Sequence, residues 1–170
     1  MPQAPKAVRE SRVDMFDMVL PQDTNTLGNV LGGYVMHRMD QAAAMAAVRH
    51  ARRPCVTASV DKLDFKSPIK LGHFMLLKAS VNAAFRTSME IGVRVESEHP
   101  LTGARHHTSS AYFTFVALDD AGKPTEVPVL KTENAEEERR YEEALERREA
   151  RLAELQRVKA SRAARAAKRR

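Results

Sequence analysis

Apolar side chains recur at intervals of three and four residues from Gly32 to about His50, the spacing of one face of an α-helix. The repeating positions are 35/36, 39, 42/43 and 46/47. Alanine occupies residues 42–44, 46 and 47, and these small side chains predict close packing on more than one side of the helix. We therefore expect this helix to be central in the fold.

After Pro54 the period of the apolar positions changes to two, which predicts β-strands. These strands cover residues 56–65, 73–85, 87–98 and 106–118, and residues 11–20 form another strand before the helix. The connections are short and rich in turn residues, which favours neighbouring antiparallel strands. The predicted fold class is α+β, with one strand, one long helix and four long antiparallel strands.

One helix cannot cover both faces of such a sheet. The pattern is best satisfied if the sheet curls around the helix and a second copy of the chain supplies the remaining cover. We therefore expect an oligomer.

The composition divides the chain into a flexible N-terminus over residues 1–10, one domain over residues 11–130 and a charged helical tail over residues 131–170. Large apolar residues in the tail are few, so we expect the domain not to depend on it. Three interpretations of the tail remain open: a solvated helix, a helix for self-association or a partner, and a basic contact for nucleic acid or an anionic membrane. The few large apolar residues are Tyr141, Leu145, Leu152, Leu155 and Val158.

The net charge of +6 at pH 7 belongs to the tail. Residues 151–170 contain eight Lys or Arg and one Glu, a net charge of +7, which leaves −1 for residues 1–150. No aromatic residues interleave with the final basic run, so we do not expect nucleic acid to be a partner.

The sequence has no uncharged apolar run long enough to cross a bilayer, for which about 18 residues are needed, and this argues against a membrane span. Its first residues lack the apolar stretch of a secretory signal, and Cys55 has no second cysteine to pair with. These features indicate a reducing, cytoplasmic location. We interpret Cys55 as a small buried side chain rather than a reactive thiol.

The start of the predicted helix is chemically unusual. Gly32 and Gly33 are poor helix formers, and an unpaired Asp40 among methionines and alanines would be costly. The residues before and after them form the pattern N-x-x-G-x-x-x-G-G, from Asn25 to Gly33, followed by Asp40 after six intervening residues.

This pattern resembles the hotdog-fold acyl-CoA thioesterases of the YciA and cytosolic acyl-CoA hydrolase type. The resemblance extends over about residues 11–130 and ends before the tail. Further matching segments are VTASVDKLDFKSPIKLGH (56–73), RTSMEIGV (86–93) and YFTFVALDDAGKPTEVP (112–128).

The resemblance implies a hotdog fold, in which a curled antiparallel sheet wraps around one long central helix. It also implies hydrolysis of the acyl-CoA thioester to a free acid and CoA, with the active site between two subunits. The expected assembly is a homodimer within a hexamer, a trimer of dimers. No cofactor or metal is expected, because CoA is part of the substrate and the histidines lack metal-ligand spacing.

Gly33 and Asp40 are the first catalytic candidates. A helix N-terminus offers unpaired N–H groups to a thioester oxygen that gains negative charge, and glycine lets a substrate approach them. The alternative is that Gly32 and Gly33 only permit close packing. Asp40 lies about 10 Å along the axis from Gly33, so it would serve the site of another subunit as general base or as nucleophile. The alternative is a buried aspartate that accepts hydrogen bonds from Ser or Thr.

Asn25 is the third catalytic candidate, with an amide that can donate to the carbonyl oxygen and accept from water; an Asx-turn is its alternative. His37 lies near Asp40 along the helix, but the motif does not require it. The remaining candidates are substrate-binding: Gly32 at the helix start, Phe65 and Pro68 for the acyl chain, and Arg86, Thr87 and Ser88 for the CoA phosphates, with Lys66 and Lys70 as alternatives.

Two other functions remain open. The first is a hotdog hydratase or dehydratase acting on acyl thioesters, which would need a histidine beside the acid. The second is a non-catalytic acyl-CoA-binding module. Release of CoA thiol from a saturated acyl-CoA separates hydrolysis from both.

Overall fold

A computed structural model of the protein describes residues 4–61 and 63–167. These residues form two α-helices and eight β-strands. In chain order the elements are β1 (Lys6–Ala7), β2 (Val13–Met18), α1 (Gly32–Ala51), β3 (Cys55–Val60), β4 (Asp64–Phe65), β5 (Phe74–Ala84), β6 (Ser88–Glu98), β7 (Arg105–Ala117), β8 (Leu130–Lys131) and α2 (Ala135–Ala167). Short 3₁₀ helices lie at Val8–Ser11 and Pro21–Asp23.

The main sheet is antiparallel, with the strand order β2-β5-β6-β7-β3 and β4 as an additional partner of β7. Residues on its inner face are buried against α1. Ile91 pairs with Phe113 and Met89 with Phe115, and all four side chains are almost completely buried. The helix contributes Val35, Met39 and five alanines to the same core. The small alanines allow the curled sheet to approach α1 closely, as the periodicity predicted.

The predicted elements are confirmed, with one strand changed. The predicted strand over residues 56–65 is interrupted, because β3 ends at Val60 and β4 is only two residues long. The expected pairing of this strand with the next one along the chain is wrong. β3 pairs with β7, because both edges of β5 are already occupied by β2 and β6. β3 is therefore an edge strand.

The N-terminal segment differs from the flexible stretch predicted for residues 1–10. β1 pairs in parallel with β8, and Ala7 and Val8 are buried. Lys6 Nζ donates hydrogen bonds to the carbonyl oxygens of Arg49 and His50 at the C-terminal end of α1, where the helix dipole favours a cation. Such a short apolar segment has no periodicity that a sequence pattern can reveal.

The charged tail forms the predicted helix, but the first half of α2 packs on the outer face of the sheet. Ala144 and Glu137 are buried, and the Arg147 guanidinium forms an ion pair with Glu90 on β6 at 2.7 Å. The side chain of Glu90 is fully buried. The sequence predicted a domain that does not depend on its tail. From this contact we instead expect dependence, because removal of α2 would leave a charged residue on an uncovered sheet face.

None of the helices that the structure describes is both long enough and apolar enough to cross a membrane.

Candidate active site

Asp40 lies on the half-buried side of α1, in the third turn of the helix. Its Oδ1 accepts a 2.7 Å hydrogen bond from the hydroxyl of Thr57 on β3. Thr57 pairs with the inward-facing Phe115, so it lies on the face of the sheet that meets α1. The register of β3 shifts between Thr57 and Ser59, and such bulges re-aim side chains next to functional sites.

An open cavity of about 510 Å³ lies beside Asp40. α1 provides Met36 and His37 on one side, and β7 provides Phe113. The remaining wall comes from Val60 at the end of β3 and from the segment that follows it. Most of these side chains are apolar, so the cavity suits an acyl chain whose reacting group lies near the carboxylate. The full lining is Met36, His37, Asp40, Val60, Asp61, Leu63 and Phe113.

The N-terminus of α1 has free backbone donors. Val35 N–H makes the first helical hydrogen bond, to the carbonyl oxygen of Leu31, and Leu31 provides no side-chain cap. The N–H groups of Gly32, Gly33 and Tyr34 precede this first intrahelical donor, so they have no acceptor within the helix. Gly33 is exposed, and apart from its sequence neighbours and the backbone of its own helix, no described residue places an atom within 4 Å of the position that a Cβ would occupy. A ligand or a second subunit can approach the backbone here.

Phe65 and Gly32 are brought together. Two ring atoms of Phe65, Cε2 and Cζ, lie 3.4 Å from the position of a Cβ on Gly32. The ring is half exposed, so it extends the apolar surface at the helix start. Pro68 is exposed in the loop between β4 and β5 and is not part of the cavity wall.

Asn25 lies in a tightly held loop before α1. Its side-chain Oδ1 accepts hydrogen bonds from the N–H groups of Leu27 at 2.9 Å and Asn29 at 3.2 Å, so the Asx-turn predicted as an alternative is present. These hydrogen bonds occupy the side-chain oxygen that we expected to accept a hydrogen bond from water. Only the amide Nδ2 has no partner among the described residues, and it leaves Asn25 a donor rather than a donor and acceptor.

Arg86, Thr87 and Ser88 lie far from the helix start of the same chain. Ser88 pairs with Val116, whereas Phe65 pairs with Ser109, and the two levels are about 24 Å apart along β7 at about 3.4 Å per residue. Of the two alternative lysines, Lys66 is exposed, while Lys70 bridges to Asn29 and thus lies beside the Asn25 loop. Lys66 directly follows Phe65, whose ring contacts Gly32, so both lysines belong to segments near the helix start of the same chain.

Thr57 and Asp61 were not singled out from the sequence. Thr57 lies within the segment VTASVDKLDF, whose alternation predicts its face but not its partner. A search for a hydroxyl opposite Asp40 would have found it, because a half-buried aspartate needs a donor.

The other titratable side chains near α1 are poorly suited to catalysis. Burial raises the pKa of Cys55 to about 11, which keeps the thiol protonated. Burial also lowers the pKa of His50, whose Nε2 donates to the carbonyl oxygen of Pro128 at 2.8 Å. Among the described residues, no group of three or more His, Cys, Asp or Glu is placed to hold a metal ion.

The side of α1 that carries Asp40 also exposes apolar side chains. Met36, Met45 and Val48 are each more than two-fifths exposed, as are Val56 and Val60 on β3. Of these residues, Met36 and Val60 line the cavity beside Asp40, so the single chain leaves apolar surface uncovered next to this carboxylate. A second subunit is the natural cover for this surface.

The profile of the thioesterase superfamily matches residues 27–104. The Bacillus subtilis (strain 168) protein named uncharacterized acyl-CoA thioester hydrolase YkhA is 40% identical over 139 residues, which are 82% of this chain and 81% of that protein. A solved hexameric acyl-CoA thioesterase, in the apo form, has a TM-score of 0.87 and 42% identity, and the match covers 90% of this chain and 98% of that one.

The acyl-CoA hydrolase of Staphylococcus aureus, solved with butyryl coenzyme A, coenzyme A and coenzyme A disulfide, has a TM-score of 0.82 and 38% identity. The match covers 90% of this chain and 95% of that one. Variants of the same protein with one asparagine, one aspartate or one threonine replaced by alanine have also been solved. In that protein the asparagine precedes the aspartate along the chain, and the threonine follows it.

Proposed function

The chain belongs to the acyl-CoA thioester hydrolases of the thioesterase superfamily, and we propose that it hydrolyses acyl-CoA at a site built from Asp40 and the N-terminus of α1. The observation that carries this assignment is the Asp40 carboxylate, which is held by Thr57 at the wall of an apolar cavity. Asn25, Asp40 and Thr57 also follow one another in the same order and at the same intervals as the three substituted residues of the Staphylococcus aureus protein.

Asp40 acts as general base in the proposed mechanism. Thr57 engages Oδ1 and leaves Oδ2 to take a proton from water. The water oxygen forms a bond to the thioester carbon, and the bond from this carbon to sulfur then breaks. The sulfur leaves with the electron pair and takes the proton, so the products are a free acid and CoA. Water is the only co-reactant, and we propose that no cofactor or metal takes part.

The oxyanion is stabilised by the start of α1. The amides of Gly33 and its neighbours have no intrahelical acceptor, and the helix dipole favours negative charge at this end. Asn25 contributes its free Nδ2 as a further donor. Substitution of Asn25 by alanine should therefore lower kcat more than it raises KM.

One chain cannot place both groups on the same thioester, because seven residues of helix separate Gly33 from Asp40 by about 10 Å. We propose that two subunits pack their exposed α1 faces antiparallel, so that Asp40 of one chain faces Gly33 of the other. The apolar face of α1 and the edge strand β3 support this arrangement. We further propose a trimer of such dimers, which is consistent with the hexameric relative.

Arg86 and Lys70 are the proposed contacts for the CoA phosphates. Arg86 and Gly33 of one chain are too far apart to share a reacting group, so Arg86 would act on a ligand whose thioester is held by another subunit. Cytoplasmic activity is also part of the proposal, and the free thiol of Cys55 fits a reducing compartment.

The activity is tested by release of CoA thiol from saturated acyl-CoA substrates from acetyl to palmitoyl. We expect thiol release with at least part of this series. A saturated chain offers a hydratase no double bond, so binding without thiol release would exclude hydrolysis and favour an acyl-CoA-binding module.

The shared site is tested by mixing an Asp40→Asn variant with a Gly33→Val variant after subunit exchange. Random dimers should recover about a quarter of the wild-type activity, because half of them are mixed and each mixed dimer has one intact site of two. Wild-type protein taken through the same exchange is the control. No recovery despite mass-spectrometric proof of exchange would place the site within one chain.

The role of Asp40 is tested by a single turnover in H₂¹⁸O. General-base attack places ¹⁸O in the released acid. Attack by Asp40 itself would form an anhydride and place ¹⁸O in the aspartate during the first turnover, which peptide mass spectrometry detects.

A further inference from the structure

The first half of α2 is fixed to the sheet by two arginines one turn apart. Arg147 forms an ion pair with Glu90, and its guanidinium lies 3.6 Å from the centroid of the Tyr112 ring. One turn later, Arg151 Nη1 donates a 2.7 Å hydrogen bond to Asp61 Oδ2. This second arginine therefore contacts a residue at the edge of the sheet.

Asp61 lies between the tail helix and the cavity beside Asp40. It follows β3 directly, and its backbone N–H donates a 2.8 Å hydrogen bond to the carbonyl oxygen of Tyr112. Its side chain pairs with Arg151 on the outer side of the sheet, and the same residue lines the cavity beside Asp40. The tail helix thus contacts the wall of the active site through this carboxylate.

We infer that Arg151 is a positioning residue for thioester hydrolysis, because it holds and neutralises the second carboxylate of the Asp40 cavity. This inference rests on the proposed function. With Arg151 in place, Asp40 is the cavity carboxylate that is free to act on water, and Asp61 is a fixed part of the wall.

Electrostatics gives the direction of the effect. The reaction gathers negative charge on the thioester oxygen, so an uncompensated carboxylate in the same cavity raises the energy of the transition state. The Arg151 and Asp61 side chains are only 20% and 23% exposed, so water and salt screen this pair less than a fully exposed one. Among the residues that the structure describes, the charged or titratable groups that face the cavity are His37 and Asp40 from α1 and Asp61, while Arg147 is directed at Glu90.

The experiment uses the full chain with Arg151→Met, which keeps most of the length of the side chain but removes the charge. Thiol release from butyryl-CoA and palmitoyl-CoA is measured at low and high salt, together with the urea midpoint. We expect kcat to fall about five- to tenfold at low salt, and less at high salt, because one uncompensated charge acts through a partly screened medium.

The matched variants separate charge from structure. Asp61→Asn removes the second carboxylate, so combining it with Arg151→Met should restore kcat to the level of Asp61→Asn alone. Arg157→Met is the control, because Arg157 lies further along the same helix and, among the described residues, pairs with the neighbouring Glu154 alone. It should leave kcat unchanged.

Unchanged kcat in a folded Arg151→Met protein would overturn the inference. So would a loss that the Asp61→Asn substitution does not restore, because a merely structural role predicts a lower urea midpoint without rescue. If Arg151→Met does not fold, the comparison is made with Arg151→Gln and its double variant, because glutamine also removes the charge. Absence of thiol release by the wild-type protein would instead remove the proposed function.

Discussion

Thr57 on the edge strand β3 donates a 2.7 Å hydrogen bond to Asp40 on the central helix α1. The contact fixes one oxygen of the carboxylate and leaves the other for water. It also joins the two elements that expose apolar side chains on the same side of the molecule. The proposed catalytic group is therefore held at the surface where a second subunit is expected.

Asp40→Asn should lower kcat by about 100- to 10,000-fold, because the amide keeps the shape of the side chain but cannot accept a proton from water. Circular dichroism and light scattering should show an unchanged fold and assembly. Asp120→Asn is a matched control, since the Asp120 carboxylate is almost fully exposed. Near-normal turnover by a folded Asp40→Asn protein would exclude Asp40 as the base.

Thr57→Val should lower kcat about 10- to 100-fold, because it removes a hydrogen bond to a charged group without changing the size of the side chain. Thr57→Ser keeps the hydroxyl and should recover most of the activity. Steady-state kinetics on one acyl-CoA measures both variants. Equal activity of the valine and serine variants would show that the hydroxyl does not orient Asp40.

Gly33→Ala should change activity and stability in opposite directions. Outside its own helix backbone and its sequence neighbours, no described residue places an atom within 4 Å of the added methyl. Alanine is also the better helix former, so the free energy of unfolding should rise by up to about 1 kcal/mol. The methyl occupies the approach to the free amides, so kcat/KM should fall about 10- to 100-fold. Urea unfolding tests the expected rise in the free energy of unfolding, and steady-state kinetics on the same preparation tests the expected fall in kcat/KM. Full activity would remove the helix start from the site.

Arg147→Ala should destabilise the protein by about 3 kcal/mol or more, because it leaves the buried Glu90 carboxylate without its cation. Adding Glu90→Gln should restore a large part of the loss. A chain that ends near Thr132 should be destabilised for the same reason, whereas one that ends after Gln156 should keep its stability. Urea denaturation measures all four proteins, and a fully stable chain ending near Thr132 would show that α2 is dispensable.

The protein should lose stability as the pH falls below about 6.5, the usual pKa of histidine. Burial lowers the pKa of His50, so the folded state favours the neutral ring, and its Nδ1 has no partner among the described residues. The stabilisation from a neutral ring is complete above the unfolded pKa and is lost as pH falls towards the folded one. The unfolding free energy should fall less between about pH 7 and pH 5 in His50→Gln than in wild type. If the unfolding free energies of the two proteins fell in parallel with pH, the loss of stability could not be assigned to His50.

The sequence predicted α1 and the long strands because each has one buried face, and burial imposes a period on the side chains. It did not predict the partner of β3, because pairing with β7 depends on which edges the other strands already occupy. It also could not predict the burial of Glu90. The alternation in β6 places this carboxylate opposite Met89 and Ile91, on the face expected to meet solvent, and only the later α2 covers it.

The sequence also predicted only some of the residues of the candidate site. Asp40 and the glycines stand out because their residue types contradict their surroundings. Thr57 is an ordinary strand residue, and its role depends on a contact across 17 residues of sequence. Arg86 was chosen by charge alone, and the fold places it at the far end of the sheet from Gly33 of the same chain.

The position of α2 at the end of the chain has a consequence for synthesis on the ribosome. Glu90 precedes Arg147 by 57 residues, so it is synthesised before the arginine that pairs with it. During this interval the carboxylate stays hydrated, and a charge in the middle of an open sheet face opposes stacking with another nascent chain. We therefore expect Glu90, whose pairing should make the finished protein depend on its tail, also to oppose aggregation of the unfinished chain.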